Sequence, residues 1–382
     1  MKDISIYFKP IDNSIYDSTG ELFSFIKLHD ESGFPELDEK GVALIYVPEY
    51  RNSTIESGVN QEFRRQFYQM SYGDAWGFSI YDLGTIEPGE KIEDTYFALS
   101  QVVSELLKKE IVPFVIGGSQ EQTLALYKGY EMQEQMVNIC SIDSSLDIGD
   151  PNAAISHEGF ISHLLMQRPC YLFNYSVLGL QRPFAAKKDL DLFDKLYFDV
   201  CRLGEINDDF KVTEPFLRNS DIFSIDFTSI ASNYTDIANY SNPNGVSALQ
   251  ICQMAKYAGL SEKMSCVGVF NIEPSQNVNA SNLIAQTIWY FIDGYSNRVG
   301  DFPVGSKANY KKFYVHLDDF EDDLVFYKSD KSNRWWLEVR YVSEPGSKYD
   351  RHKMVPCDEK DYQDALKNQI PNLWWKTLKK IV

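Results

Sequence analysis

Three short stretches of this chain carry residues that could act together. They are Gly117-Gly118-Ser119-Gln120-Glu121, Asp143-Ser144-Ser145-Leu146-Asp147 and Ser224-Ile225-Asp226-Phe227-Thr228. Asp143, Asp147 and Asp226 could share one hard cation such as Mg²⁺ or Ca²⁺, which accept all-oxygen shells. The preferred reading is plainer: the three cap helices and satisfy backbone groups where strands end. Gly117-Gly118 could cradle a phosphate at a helix start, but two glycines serve a tight backbone turn more simply. His157 is a candidate acid or base, with a structural or solvent-facing role preferred. Asn271 and Glu273 are two residues apart, so on a strand they would share a face. Glu273 is then either a pocket acid or a surface group.

The elements that must position these residues are legible from periodicity. The continuous apolar run at 42–47 predicts a strand buried on both faces, and 78–84, 111–116, 137–142, 171–178, 222–225 and 266–270 read as further strands. Helical spacing predicts helices at 61–70, 93–109, 121–130, 159–166, 214–218, 247–257 and 280–295. Such alternation predicts a mainly parallel sheet between two helical layers. In such sheets ligands sit at the carboxyl ends of strands, which is where all three stretches fall. Residues 1–40 read as a polar, irregular segment, 41–300 as the α/β domain and 301–382 as a small α+β extension. The extension carries predicted strands at 312–317, 324–328 and 334–342 and a helix at 359–368. Its tryptophan pairs, Trp335-Trp336 and Trp374-Trp375, are candidates for a docking surface. Packing against the main domain is the preferred use of at least two of them.

Composition narrows the classes. The chain has 382 residues, 44% hydrophobic and 24% charged, as an ordinary globular protein does. Its 37 basic and 55 acidic residues leave a formal charge of −18, which argues against a nucleic-acid partner. No run approaches the length of a membrane-spanning helix, and Met1–Phe8 has no apolar signal core. The six scattered cysteines contain no Cys-x-x-Cys pair, which suits reduced thiols in the cytoplasm. None of the five histidines pairs at helical ligand spacing.

The three stretches resemble the metal-binding motifs of the arginase, agmatinase and formiminoglutamase superfamily, which read Gly-Gly-Asp-His-Ser, Asp-Ala-His-x-Asp and Ser-x-Asp-x-Asp. Gly58-Val59-Asn60, Tyr81-Asp82-Leu83-Gly84, Phe270-Asn271-Ile272-Glu273-Pro274 and His157 resemble further family features, so the likeness spans roughly residues 40–297. It implies a three-layer arginase-like fold. It also implies two Mn²⁺ ions whose bridging hydroxide attacks a guanidinium or formimino carbon. Carried over by position, the two His and four Asp ligands become Gln120, Asp143, Ser145, Asp147, Asp226 and Thr228. The substrate-side carboxylate becomes Asn271. Neutral oxygens replace both imidazoles and one carboxylate, a severe loss for Mn²⁺ affinity.

The leading expectation is therefore a catalytically inactive family member acting as a binding or scaffold protein. The alternatives are a divergent, formiminoglutamase-like hydrolase of amidine or formimino bonds, and a small-molecule sensor that uses the old pocket. No cofactor is expected beyond one weak divalent cation (Mg²⁺, Ca²⁺ or Mn²⁺), and no dinuclear Mn²⁺ site. Expected partners are a protein docked on the C-terminal extension, a small-molecule ligand, or further copies of the chain.

Overall fold

The structure is a computed structural model that describes residues 3–12, 16, 20–53, 61–74, 76–235, 242–272, 278–303, 306–318, 320, 322–341 and 348–381. In chain order the first elements are β1 (Ile26–Leu28), β2 (Gly41–Tyr46), α1 (Glu62–Tyr68), β3 (Ser79–Thr85), α2 (Ile92–Lys108), β4 (Ile111–Ile116), α3 (Thr123–Glu131), β5 (Val137–Ile142), α4 (Phe160–Leu165) and β6 (Leu172–Leu180). Then come α5 (Lys187–Lys195), β7 (Asp199–Arg202), α6 (Leu203–Asp208), α7 (Thr213–Arg218), β8 (Ile222–Asp226), α8 (Ser232–Thr235), α9 (Ala248–Leu260), β9 (Cys266–Phe270) and α10 (Val278–Ser296). The C-terminal part holds β10 (Tyr310–Val315), β11 (Leu324–Ser329), β12 (Trp335–Glu338), β13 (Met354–Cys357), α11 (Glu359–Ala365) and α12 (Asn372–Ile381).

Strands β1 to β9 form one parallel sheet in the order β1-β3-β2-β4-β9-β8-β5-β6-β7. Its central strands are buried along their whole length because both faces are covered. Alternate residues feed two cores: Val42, Leu44 and Tyr46 enter one, and Ala43, Ile45 and Val47 the other. The chain leaves β4, passes two sheet positions and returns as β5; the late strands β8 and β9 fill that gap. Register makes the four central strands end level. Ile116 pairs with Val269, Val269 with Ile225, and Ile225 with Ile142. The residues that follow emerge side by side.

A buried ion pair ties α1 to β3. The Arg64 guanidinium donates from Nε and Nη2 to Asp82 at 2.8 and 3.0 Å, and the Tyr68 hydroxyl adds a third bond to Asp82 at 2.8 Å. Both charged side chains are fully buried. Burial works against the charge on Arg64, and Asp82 more than restores it.

The four C-terminal strands form an antiparallel sheet, β10-β11-β12-β13. This sheet docks at the amino-terminal ends of the main strands. Arg218 of α7 donates to the carbonyls of Trp335 and Cys357, each at 2.9 Å, and its guanidinium lies 4.5 Å from the Trp336 ring centre. Arg351 pairs with Asp221, just before β8, at 2.7 Å, and Lys376 with Asp199 of β7 at 2.8 Å.

Packing takes up three of the four tryptophans. Trp335, Trp336 and Trp374 are buried, and Trp375 is 38% exposed. Trp335 enters the extension's own core. Trp336 is on the opposite face, where Arg218 of the main domain covers it.

Breaking a buried pair on one side leaves an uncompensated charge, which costs about 3–5 kcal/mol. Asp82→Ala is expected to lower the stability in urea by about that amount. A loss within error of zero would mean that Arg64 finds other acceptors.

Candidate functional site

The level strand ends place the three stretches in one row. Gly117 and Gly118 follow β4, Asn271 follows β9, Asp226 ends β8 and Asp143 follows β5. Gly117 and Gly118 both have positive φ, +92° and +75°. A Cβ on Gly118 would meet Gln122 and the carbonyls of Val47 and Glu49, so the tight turn needs glycine here. The turn delivers Gln120 fully buried to the site, beside Asp143.

The aspartates make the strand-end bonds expected of them. Asp143 accepts from the Ser145 amide at 2.9 Å, and Asp226 from the Thr228 amide at 2.9 Å. Side chains then add to these. The Ser145 hydroxyl lies 3.2 Å from Asp143 and 3.1 Å from Asp147, bridging them. Thr228 donates its hydroxyl to Asp226 at 2.7 Å. Asn271 donates its amide to Asp226 at 3.0 Å and accepts from the Gln120 backbone at 3.1 Å. Asn271 has φ +56°, and its own amide binds the Gly118 carbonyl at 2.8 Å, so it cross-links the ends of β4, β9 and β8.

Burial dominates the electrostatics. It raises the Asp143 carboxyl above the ordinary range. It raises Asp147 much further, where the charge on Asp143 adds to it. Asp226 is pushed up to about 7 by burial and by Asp143. Beside this row lies a second buried acid, Glu121, pushed up to about 7 by burial although Ser119 and Tyr96 donate to it.

A cavity of about 290 Å³ opens over the row, lined by Ser145, Asp147, His157, Glu158, Phe184, Asp226, Thr228 and Asn242 among others. His157 is buried against this cavity and does not face open solvent. Asp143, Gln120 and Asn271 stand behind its wall. Glu273 lies outside the described residues. Sequence reasoning missed Glu158, Phe184 and Asn242. None belongs to a motif or a periodic run; they arrive on connecting loops. Among the described residues, no group of three or more His, Cys, Asp or Glu is placed to hold a metal ion.

A parallel sheet between helices, with its polar groups gathered at level strand ends, defines an α/β protein whose candidate site lies at the carboxyl ends of its strands. The chain belongs to the arginase family, whose model matches residues 52–292. It is 22% identical over 324 residues to a formimidoylglutamase of Streptococcus gordonii, covering 75% of this chain and 94% of that protein. Its fold matches the formimidoylglutamase of Bacillus subtilis with a TM-score of 0.64 at 17% identity, over 77% of this chain and 97% of that one. It also matches the Trypanosoma cruzi formiminoglutamase determined with Mn²⁺. There the TM-score is 0.61 at 17% identity, over 68% and 95% of the two chains.

The raised acids set a pH dependence for the metal-free protein. A group whose folded pKa lies above its unfolded value of about 4 stabilises the fold below both values. That stability is lost as pH rises through the folded value, here about 7 for Asp226. Urea stability is therefore expected to fall as pH rises between these limits. Asp226→Asn should flatten the slope; an unchanged slope would place the titration elsewhere.

Proposed function

We propose that this chain is an arginase-family member that binds a small polar molecule at the strand ends, without two-manganese hydrolysis. The observation that carries this reading is the direction of the hydrogen bonds. Ser145, Thr228 and Asn271 stand where the resemblance places an imidazole and two carboxylates, and each now donates to a retained aspartate. Groups that once competed for positive charge have become donors that occupy the lone pairs of Asp143, Asp147 and Asp226. Gln120, Ser145 and Thr228 offer only neutral oxygens, which bind Mn²⁺ weakly. The residues present do not fit a pair of Mn²⁺ ions.

The 290 Å³ cavity supports a ligand role, since Asp147 and Asp226 line it together with His157. A cytoplasmic location goes with this reading, supported by six free cysteines of which five are buried. A protein partner on the extension would meet Trp375 rather than the three buried tryptophans.

A second reading is a formimidoylglutamase-like hydrolase of carbon–nitrogen bonds. It is supported by the likeness to the S. gordonii protein along 94% of that protein's length. The state of the three carboxylates favours it as well. The strongest influences on them are burial, hydrogen bonds and one another, so a bound cation would relieve them.

One experiment separates the two. The full chain is dialysed with Mn²⁺, its bound metal is counted, and it is then given N-formimino-L-glutamate. Fewer than two ions per chain and no formamide above the blank are expected. Formamide release with Mn²⁺ or any other divalent ion would establish the hydrolase and overturn the first reading.

A further inference from the structure

The seam between the C-terminal extension and the main domain gathers more cations than acids. Arg351 holds Asp221 at 2.7 Å, while Lys263, just before β9, lies 3.9 Å from the same carboxylate and donates to Asn219 at 3.2 Å. Lys376 pairs with Asp199, and Lys380 of the same helix donates to the Asn174 side chain. Four cations thus share two acids. Burial pushes Lys263 down to about 7, against the pull of Asp221.

His352 is set into this seam by the turn Asp350–His352, between β12 and β13. Its ring is 2% exposed and stacks on Phe173 of β6, with centres 3.9 Å apart and planes 26° apart. Among the described residues, neither ring nitrogen makes a well-formed hydrogen bond. The Met136 carbonyl that faces the ring accepts instead from Arg351 at 3.1 Å. The charged groups that weigh most on the ring are cations: Lys263, Arg351, and Lys380 of α12, whose ammonium lies 5.7 Å from the centre of the same Phe173 ring. On the turn itself, Asp350 is held by Lys353 at 2.7 Å, and the Tyr349 ring lies 6.1 Å from Phe173. A neutral imidazole stacks here at little cost. An imidazolium would be a buried charge with no free acceptor and three cations against it. Burial and these cations hold His352 well below the usual range for histidine.

We propose that this seam is a proton-operated latch: protonation of His352 drives the Asp350–His352 turn off Phe173 and parts the extension from the main domain. The segment that responds lies beyond residues 52–292, the part matched to the arginase family. A histidine whose folded pKa lies below its unfolded value of about 6.5 favours the closed seam above that value. It loses this contribution as pH falls below it. Asp226, at the other end of the sheet, responds in the opposite direction because its folded value is raised. Acid therefore loosens the base of the sheet while it favours the strand-end row.

The test is amide hydrogen exchange of the full, metal-free chain at about pH 6.5 and pH 5, resolved along the sequence and normalised to the chemical rate at each pH. Opening the seam takes up one proton at His352, so it should become about tenfold easier over this interval. Protection of residues 350–357 should fall by about that factor in the wild type, while protection of β5 and β8 should not fall. His352→Phe keeps a stacked ring without a titrating group, and its seam should hold nearly the same protection at both pH values. His352→Gln, neutral at either pH, should be equally flat even where its seam is weaker throughout. Unchanged protection of the wild-type seam would overturn the latch. So would a loss that extends equally to β5 and β8, or an equal loss in either variant.

Discussion

A carboxylate removed from water must find donors, a cation or a proton, because its charge is otherwise too costly to bury. Asp143, Asp147 and Asp226 meet this constraint together at the level ends of β5 and β8. Much else at that end of the molecule follows from it. The backbone supplies the first donors, from the amides of Ser145 and Thr228. The hydroxyls of the same two residues supply the next, and Asn271 reaches over from β9. Asn271 can reach because its φ of +56° turns its side chain back along the row, and a bond to Gly118 holds it there. The glycine turn after β4, the strand order and the register are thus coupled to one electrostatic need.

The same logic works in reverse at the other end of the sheet. There the C-terminal extension brings cations to acids at the starts of the strands: Arg351 to Asp221, just before β8, and Lys376 to Asp199, the first residue of β7. Arg218 closes the seam by donating to two carbonyls of the small sheet. Strands of five or six residues, such as β8 and β5, span about 17–20 Å. The extension is therefore about a strand length from the cavity. Among the described residues, its ion pairs and hydrogen bonds to the main domain fall at the base of the sheet.

Much of this architecture was legible in the chain. Seven of the nine parallel strands were found from short, mostly apolar runs alternating with helical patterns. The two missed were β1 and β7, at the edges of the sheet. Each is short and only partly buried, and β7 begins with Asp199 and ends with Arg202, so neither presents an apolar run. The fourth strand of the extension, β13, was hidden by its proline, Pro356. Helix α12 was not among the predicted elements, although its Trp374 and Thr377 recur at helical spacing and are buried on one face. The tryptophans show the limit of alternation. Alternation says that Trp335 and Trp336 face opposite ways, but not that a second domain waits on the far side.

The sequence by itself determined the residue types at the strand ends, aspartates interleaved with neutral Gln120, Ser145, Thr228 and Asn271. Such identities are local, and a motif carries them wherever the strand goes. Only the tertiary structure decided that β4, β9, β8 and β5 lie side by side, because strand order depends on packing between residues more than a hundred positions apart. It decided that Ser145, Thr228 and Asn271 point inward as donors, since an orientation depends on backbone angles and neighbours. It also set His352 on Phe173 of β6. They lie in different parts of the chain, and no pattern of residue types joins them until the extension is folded against the base of the sheet.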